Sequence, residues 1–257
     1  MHILFIGYGK TSQRATKLLF EQGHQITTIS QSPKTDEYAN HLIQDVHHLN
    51  LSGIAPIDAV YVLLSPNAST VEAYQQTYVD TVQSIVQALK GHPIQRIVVV
   101  SSTRVYGENA GERVDDETLP NPIDAQGRLL LEMEQLYQTA FPAQCVIIRP
   151  SGIYSGASAR MQKLAETTKS YPNIHWSNRI HIDDLARFLV FMLHVEHAEK
   201  SYICTNNMPQ PLHEKILNIQ RELNLPELVL ESDRVTGKRI YADRMKSAGF
   251  QLEYEDS

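Results

Sequence analysis

Near the start of the chain, Gly7-Tyr8-Gly9-Lys10-Thr11-Ser12 sets two glycines two apart and a small residue three further on. In a GxGxxG frame the first two glycines let the chain turn tightly and approach a pyrophosphate. Free backbone N–H groups and the positive end of the helix dipole then hold its charge. Ser12 stands at the third glycine and is small enough to keep the helix packed on its strand. The frame carries weight only between a strand and a helix. Here His2 to Ile6 is apolar, and the segment from Ser12 to Gln22 repeats Ala15, Leu18 and Leu19 at helical spacing. A dinucleotide site is therefore expected, against the plainer reading of a structural turn.

An acid at the end of the next strand would hold a free ribose 2′-hydroxyl and repel a 2′-phosphate. That end reads Ser30-Gln31-Ser32-Pro33-Lys34, with no acid. Hydroxyls and Lys34 tilt the expectation toward NADP, with NAD as the alternative; ordinary loop residues would look the same.

These residues need a scaffold that puts strand ends side by side. Short strands at Gln25 to Ser30, Leu42 to Val46, Ala59 to Leu64, Arg96 to Val100 and Gln144 to Ile148 alternate with helices at about 70–89 and 125–138. Strands rich in Val, Ile and Leu along their whole length belong in a parallel sheet buried on both faces, so the fold class is α/β, doubly wound. Residues 1–155 read as the nucleotide-binding core. Residues 156–257 read as a mixed segment that completes the core and forms a small C-terminal substrate lobe, with helices near 159–168, after Asp183 or Asp184, after Pro211 and at 243–248, and a strand at Tyr202 to Cys204. Asp183 is the expected N-cap of its helix.

The chain has 257 residues, enough for one large domain, and carries 23 Lys plus Arg against 29 Asp plus Glu. A formal charge of -6 gives no global drive toward nucleic acid. Cys145 and Cys204 lie in apolar runs and read as buried thiols. The histidines lack metal-ligand spacing, so no metal is expected. The apolar start ends at Gly7, too short for a leader or membrane span, which leads us to expect a soluble cytoplasmic protein with a small-molecule substrate, and neither nucleic-acid nor membrane partners.

Further motifs are Gln44-Asp45-Val46, Asp58-Ala59-Val60, Ser101-Ser102-Thr103-Arg104-Val105-Tyr106-Gly107, Arg149-Pro150-Ser151-Gly152-Ile153-Tyr154 and His181-Ile182-Asp183-Asp184-Leu185-Ala186. With the glycine turn, they make nearly the whole chain resemble the extended short-chain dehydrogenase/reductase superfamily, in particular its atypical NAD-dependent epimerase/dehydratase-like, sugar-nucleotide epimerase-like members. That resemblance implies a Rossmann fold, a nicotinamide cofactor across the carboxyl ends of the strands, and substrate between core and lobe. Carried over residue by residue, cofactor contacts fall on Gly7, Tyr8, Gly9, Lys10, Thr11, Ser12, Ser30, Gln31, Ser32, Asp45, Val46, Leu64, Ser65, Ser101, Arg128, Pro150, Ser151, Gly152 and Ile153. Substrate contacts fall on Thr103, Tyr106, Tyr154 and Arg239. Ser102 matches the hydroxyl that donates to the reacting oxygen. Pairing of two chains through the long core helices is also implied.

One departure is large. The family's Tyr-x-x-x-Lys pair has Asp124 at the tyrosine position and Arg128 at the lysine position, and none of the 12 tyrosines is followed by Lys four residues later. Arg128 retains donors for a ribose hydroxyl. Asp124, with a reference pKa of about 3.9, accepts a proton more readily than it donates one near neutrality. Tyr106 and Tyr154 flank the expected cofactor position and are read as packing groups rather than substitute acids. Two functions follow: an NAD(P)-dependent oxidoreductase or epimerase acting on a hydroxyl or carbonyl of a nucleotide sugar or similar metabolite, with Ser102, Asp124 and Arg128 in the catalytic positions, or a catalytically silent NAD(P)-binding redox sensor or interaction protein.

Overall fold

The computed structural model describes residues 1–156 and 159–254. Seven parallel strands form the central sheet: β1 His2–Ile6, β2 Gln25–Ser30, β3 Asn40–Ile43, β4 Ala59–Val62, β5 Arg96–Val100, β6 Cys145–Pro150 and β7 Ser201–Cys204. Their order, β7-β6-β5-β4-β1-β2-β3, runs outward in both directions from the β1/β4 boundary. This is the doubly wound Rossmann arrangement, and its switch point between β1 and β4 is where such sheets bind ligands.

All five residues of β1 and all six of β6 are buried, because helices cover both faces of the sheet. Phe5 stacks on Tyr61 of the neighbouring strand with ring centroids 4.6 Å apart. Helix α1, Lys10–Glu21, buries Ser12, Ala15, Thr16 and Leu19, one stripe at helical spacing. It packs against α6, Ile182–Phe191, and Arg14 reaches across to Asp183 at 2.5 Å. Gly23, with φ +83°, takes the left-handed position just past the end of α1.

The helix expected at 70–89 is broken into α2 Val71–Tyr74, a π-helical turn Gln75–Val79 and α3 Val82–Ala88. Asp80 N–H reaches Gln75 O at 3.0 Å, and Thr81 Oγ1 bonds back to Thr77 O at 2.8 Å. That back-bonding hydroxyl competes with the regular ladder in a stretch rich in β-branched residues. Helix α4, Ala125–Ala140, starts where expected and runs slightly longer.

The second segment does two things. It supplies β7, α6 and α8 Asp243–Ser247, which packs on β7, to the core, and it builds a separate cluster from α5 Ala159–Thr167 and α7 Leu212–Glu222 beside short strands, including Ile174–Ser177 paired with Val235–Gly237. The strand at Ile174–Ser177 falls in a stretch with no strand signal. The expected N-cap Asp183 is instead in the first turn of α6; His181 caps it, its ring accepting from Asp183 N–H at 3.3 Å. Cys145 and Cys204 are free and buried. No helix among the described residues is long and apolar enough to cross a membrane.

Candidate functional site

The carboxyl ends of β1, β2, β4, β5 and β6 bring the sequence motifs to one rim. At β1, Gly7 has φ +94°, and a Cβ there would lie 2.2 Å from the Leu63 carbonyl oxygen. Only glycine lets the turn pass so close to the strand beside it. Gly9 is the N-cap of α1, and no side chain fills that cap. A Cβ on Gly9 would meet nothing within 4 Å, so the approach to the helix end is open. Ser12, buried at the third glycine position, donates to Gly7 O at 2.8 Å and locks the turn. The first N–H groups of α1 therefore point at open space with the dipole behind them, the arrangement that receives a phosphate.

Tyr8 fills the space between α1 and the β2–β3 loop: its phenol donates to Asp36 and meets Thr16 Oγ1 at 3.1 Å, and burial pushes its pKa up. Ser30 is turned into its own loop, donating to Ser32 O at 2.9 Å. His41 on β3 bonds Thr28 Oγ1 at 2.8 Å and lies 3.1 Å from Ser32 O. Neither Asp36 nor His41 carries a sequence signal, because Asp36 lies in a loop of no regular period and His41 on the short edge strand that follows it. Asp45 caps the short turn Val46–His48 and takes His47 N–H at 3.0 Å and the His47 ring at 2.8 Å; these bonds hold its carboxyl down at about 2. Gln31 reaches the same carboxylate at 3.4 Å. Leu64 and Ser65 continue from β4 beside Gly7.

At β5, Ser102 Oγ accepts from Arg104 N–H at 3.2 Å, which leaves the hydroxyl proton free to donate. Ser101 Oγ is buried with no hydrogen-bond partner. At β6, Pro150 and Ser151 are buried, Ser151 Oγ reaching Thr205 Oγ1 at 3.0 Å, and Gly152 and Ile153 are exposed. The uncapped helix end, the open space over Gly9 and the orphaned Ser101 hydroxyl fit a dinucleotide laid along this rim.

Asp124 is the N-cap of α4, accepting Gly127 N–H at 2.6 Å, and its second contact is the Arg104 guanidinium at 3.0 Å. Arg128 is exposed and donates to Ile123 O at 3.2 Å. Tyr106 is buried, its phenol taking a bond from Arg149 at 2.8 Å, and Arg149 in turn pairs with the buried Glu134 at 2.6 Å. Burial pushes the Tyr106 phenol up against the opposing pull of Arg149. Arg239 lies over the Trp176 ring, 5.5 Å from its centroid, and donates to Gly111 O at 2.8 Å.

Two cavities adjoin the rim. One, of about 440 Å³, is walled by Thr103, Asp124, Ser151 and Gly152 on the core side and by His175, Asn178 and Lys238 on the lobe side. Another, of about 630 Å³, holds Tyr154, Arg179, His181, Lys215 and Tyr254. Tyr154 meets the His181 ring edge-on at 5.0 Å, and Tyr254 stacks on its other side at 3.7 Å. Burial, then Arg179 beside it, pushes the Lys215 ammonium down to about 8. Lys215 was not legible as a site residue, since it lies in no spaced motif, and His181, though it opens the 181–186 motif, was not singled out as a site residue.

Residues 7–196 match the family model described as NAD(P)H-binding. The chain is similar to Protein YeeZ of Escherichia coli (strain K12), 25% identical over 214 residues that cover 80% of this chain and 75% of that protein. It is similar to a structure from Methylobacillus flagellatus described as an NAD-dependent epimerase/dehydratase, with 29% identity, a TM-score of 0.82, and coverage of 99% of this chain and 94% of that one. The human epimerase family protein SDR39U1 (isoform 2), solved with NADPH, shares the fold at TM-score 0.78 and 16% identity, covering 100% of this chain and 96% of that one.

Proposed function

The chain belongs to the NAD(P)H-binding family, with the architecture of an atypical extended short-chain dehydrogenase/reductase, and from that premise we propose an NAD(P)-dependent oxidoreductase or epimerase. Its substrate class is a small metabolite, such as a nucleotide sugar, reacting at a hydroxyl or carbonyl. The observation that carries this reading is the uncapped α1 end on Gly9, set at the β1/β4 switch point on the same rim of the sheet as Ser102 at the end of β5. Gly7, Gly9 and Ser12 hold the turn against the pyrophosphate, Ser30 to Ser32 and Asp45 border the adenosine end, and Ser101, Ser102, Gly152 and Ile153 border the nicotinamide end. The bound cofactor supplies or takes a hydride. Ser102 orients the reacting oxygen by donating to it. The lack of an acid at Ser30 to Lys34 favours NADP over NAD.

The silent-sensor reading has one observation in its favour. Asp124 is committed to capping α4 and to Arg104, and the Arg128 guanidinium stays charged and does not release a proton, so neither is poised for proton transfer.

Calorimetric titration with NADPH and with NADH tests the premise, and NADPH should bind more tightly. A screen of nucleotide sugars, aldehydes and ketones, with nicotinamide absorbance and isomer analysis as readouts, separates the two readings. Turnover supports the enzyme, bound cofactor with no turnover across the panel supports the sensor, and failure of both coenzymes to bind defeats both.

A further inference from the structure

The smaller cavity holds a group that the missing tyrosine makes conspicuous. Lys238 enters it from the lobe, its ammonium donating to the Tyr106 carbonyl. The wall opposite is Thr103, next in sequence to Ser102, with Asp124, Ser151 and Gly152, so the lysine faces the rim at the end assigned to the nicotinamide.

Its backbone is clamped on both sides. Asn178 donates to Lys238 O at 2.8 Å and accepts from Ile240 N–H at 2.8 Å. Gly237 N–H donates to Asn109 Oδ1 at 2.8 Å, and Gly237 O takes Gly111 N–H at 2.8 Å. Gly237 has φ +73°, and a Cβ there would lie 2.7 Å from Trp176 O; the turn that delivers Lys238 requires glycine. The same loop of residues 107–111 carries Glu108, whose Oε2 is buried without a partner. Such placement costs desolvation and is the kind of pre-positioning that proton transfer needs.

We propose that Lys238 is a catalytic residue that exchanges a proton with the substrate oxygen, in the role the absent phenol would have filled, with Glu108 as the counter-charge that positions it. The proposal rests on the enzyme reading above. In the reducing direction the Nζ–H bond breaks as an O–H bond forms at the carbonyl oxygen, which takes the C=O π pair. The hydride to carbon comes from a reduced nicotinamide, oxidised in the same turnover, and the neutral amine regains its proton from water. The charged groups that act on Nζ are Glu108 and Glu112 from the 107–112 loop and Asp124 at the α4 cap, and Arg104 and His175 line the same cavity. Burial lowers the Lys238 pKa from the ordinary lysine value, and Glu108, Asp124 and Glu112 oppose that fall. A lowered amine sits nearer the working pH, where a proton exchanges in both directions.

Two measurements decide it. In proteins labelled with nitrogen-15 at lysine Nζ, one resonance should titrate below the others, vanish in both Lys238→Met and Lys238→Arg, and shift when NADPH saturates the protein. A Lys238 resonance that titrates with the surface lysines overturns the proposal. With glyceraldehyde as the reducible probe and UDP-glucose as the oxidisable one, Lys238→Met should lose about 100-fold in kcat, the scale of general acid–base assistance, with the NADPH Kd unchanged. Lys238→Arg keeps the charge but cannot release its proton, and should not rescue. The wild-type reductive rate should fall as pH rises through the amine's own titration. Bound NADPH with full turnover and an unaltered pH profile in Lys238→Met rejects Lys238 alone. No binding of NADPH or NADH to the wild type removes the enzyme reading and the proposal with it.

Discussion

Two helices begin on the same rim of the sheet and treat their free N–H groups in opposite ways. Helix α1 starts on Gly9 with no side chain in its cap, while α4 starts on Asp124, whose carboxylate accepts Gly127 N–H at 2.6 Å and pairs with Arg104. The physical demand is identical, since each helix start leaves unpaired donors and a positive dipole end. One is left open for an external anion; the other is plugged by the chain's own. The difference teaches that the same helix-end geometry offers donors to a ligand only where the chain leaves them free, and that the Asp124 carboxylate serves its own helix.

The contrast can be broken at four points. The largest effect is expected at Gly7. Gly7→Val puts a Cβ 2.2 Å from Leu63 O in a left-handed backbone, and should cost about 3 kcal/mol or more by urea unfolding, together with NADPH binding. Gly9→Asp makes α1 resemble α4. Its Cβ meets nothing within 4 Å, so stability should hold or rise by a few tenths of a kcal/mol. The new carboxylate would occupy the phosphate's donors and repel its charge, and calorimetry should show the NADPH Kd rising about 100-fold, or about 2.7 kcal/mol.

The converse change, Asp124→Ala, opens the α4 end. It should cost about 1 kcal/mol in denaturant unfolding, the usual value of a cap. The half-exposed Arg104 pair adds little to that, and the NADPH Kd should not change. Smallest is Asp45, whose cap on Val46–His48 holds its carboxyl at about 2 in the folded chain, below its ordinary value. A depressed folded pKa contributes stability that is present above the unfolded value and lost as pH falls through about 2. Asp45→Asn should therefore be slightly less stable than wild type at pH 7, with the gap closing in unfolding curves taken toward pH 2.

Much of the rim was legible because local rules fix it. The turn at Gly7 to Ser12 was readable from small residues between an apolar strand and an amphipathic helix, whereas Ser102 was singled out by the family resemblance alone. The Asp124 cap was not anticipated as such: counting from the family frame put Asp124 at a catalytic position, and nothing local told a reactive carboxylate from one satisfied by Gly127 N–H. The π turn at Gln75–Val79 was missed because the apolar spacing stays near helical while Thr81 bonds back to Thr77. No spacing marked Lys238, since the cavity it enters joins segments more than 100 residues apart.

By itself the sequence determined the alternation of strands and helices, hence the parallel sheet, and with it the glycine turn that opens α1 at the sheet's switch point. Those features rest on periodicity and on glycine geometry, which act over a few residues. The tertiary structure alone decided which polar groups meet: Asp124 with Arg104, Tyr8 with Asp36, and Lys238 with the Tyr106 carbonyl. Electrostatics and desolvation act through space, and no spacing along the chain encodes a distance across a cavity.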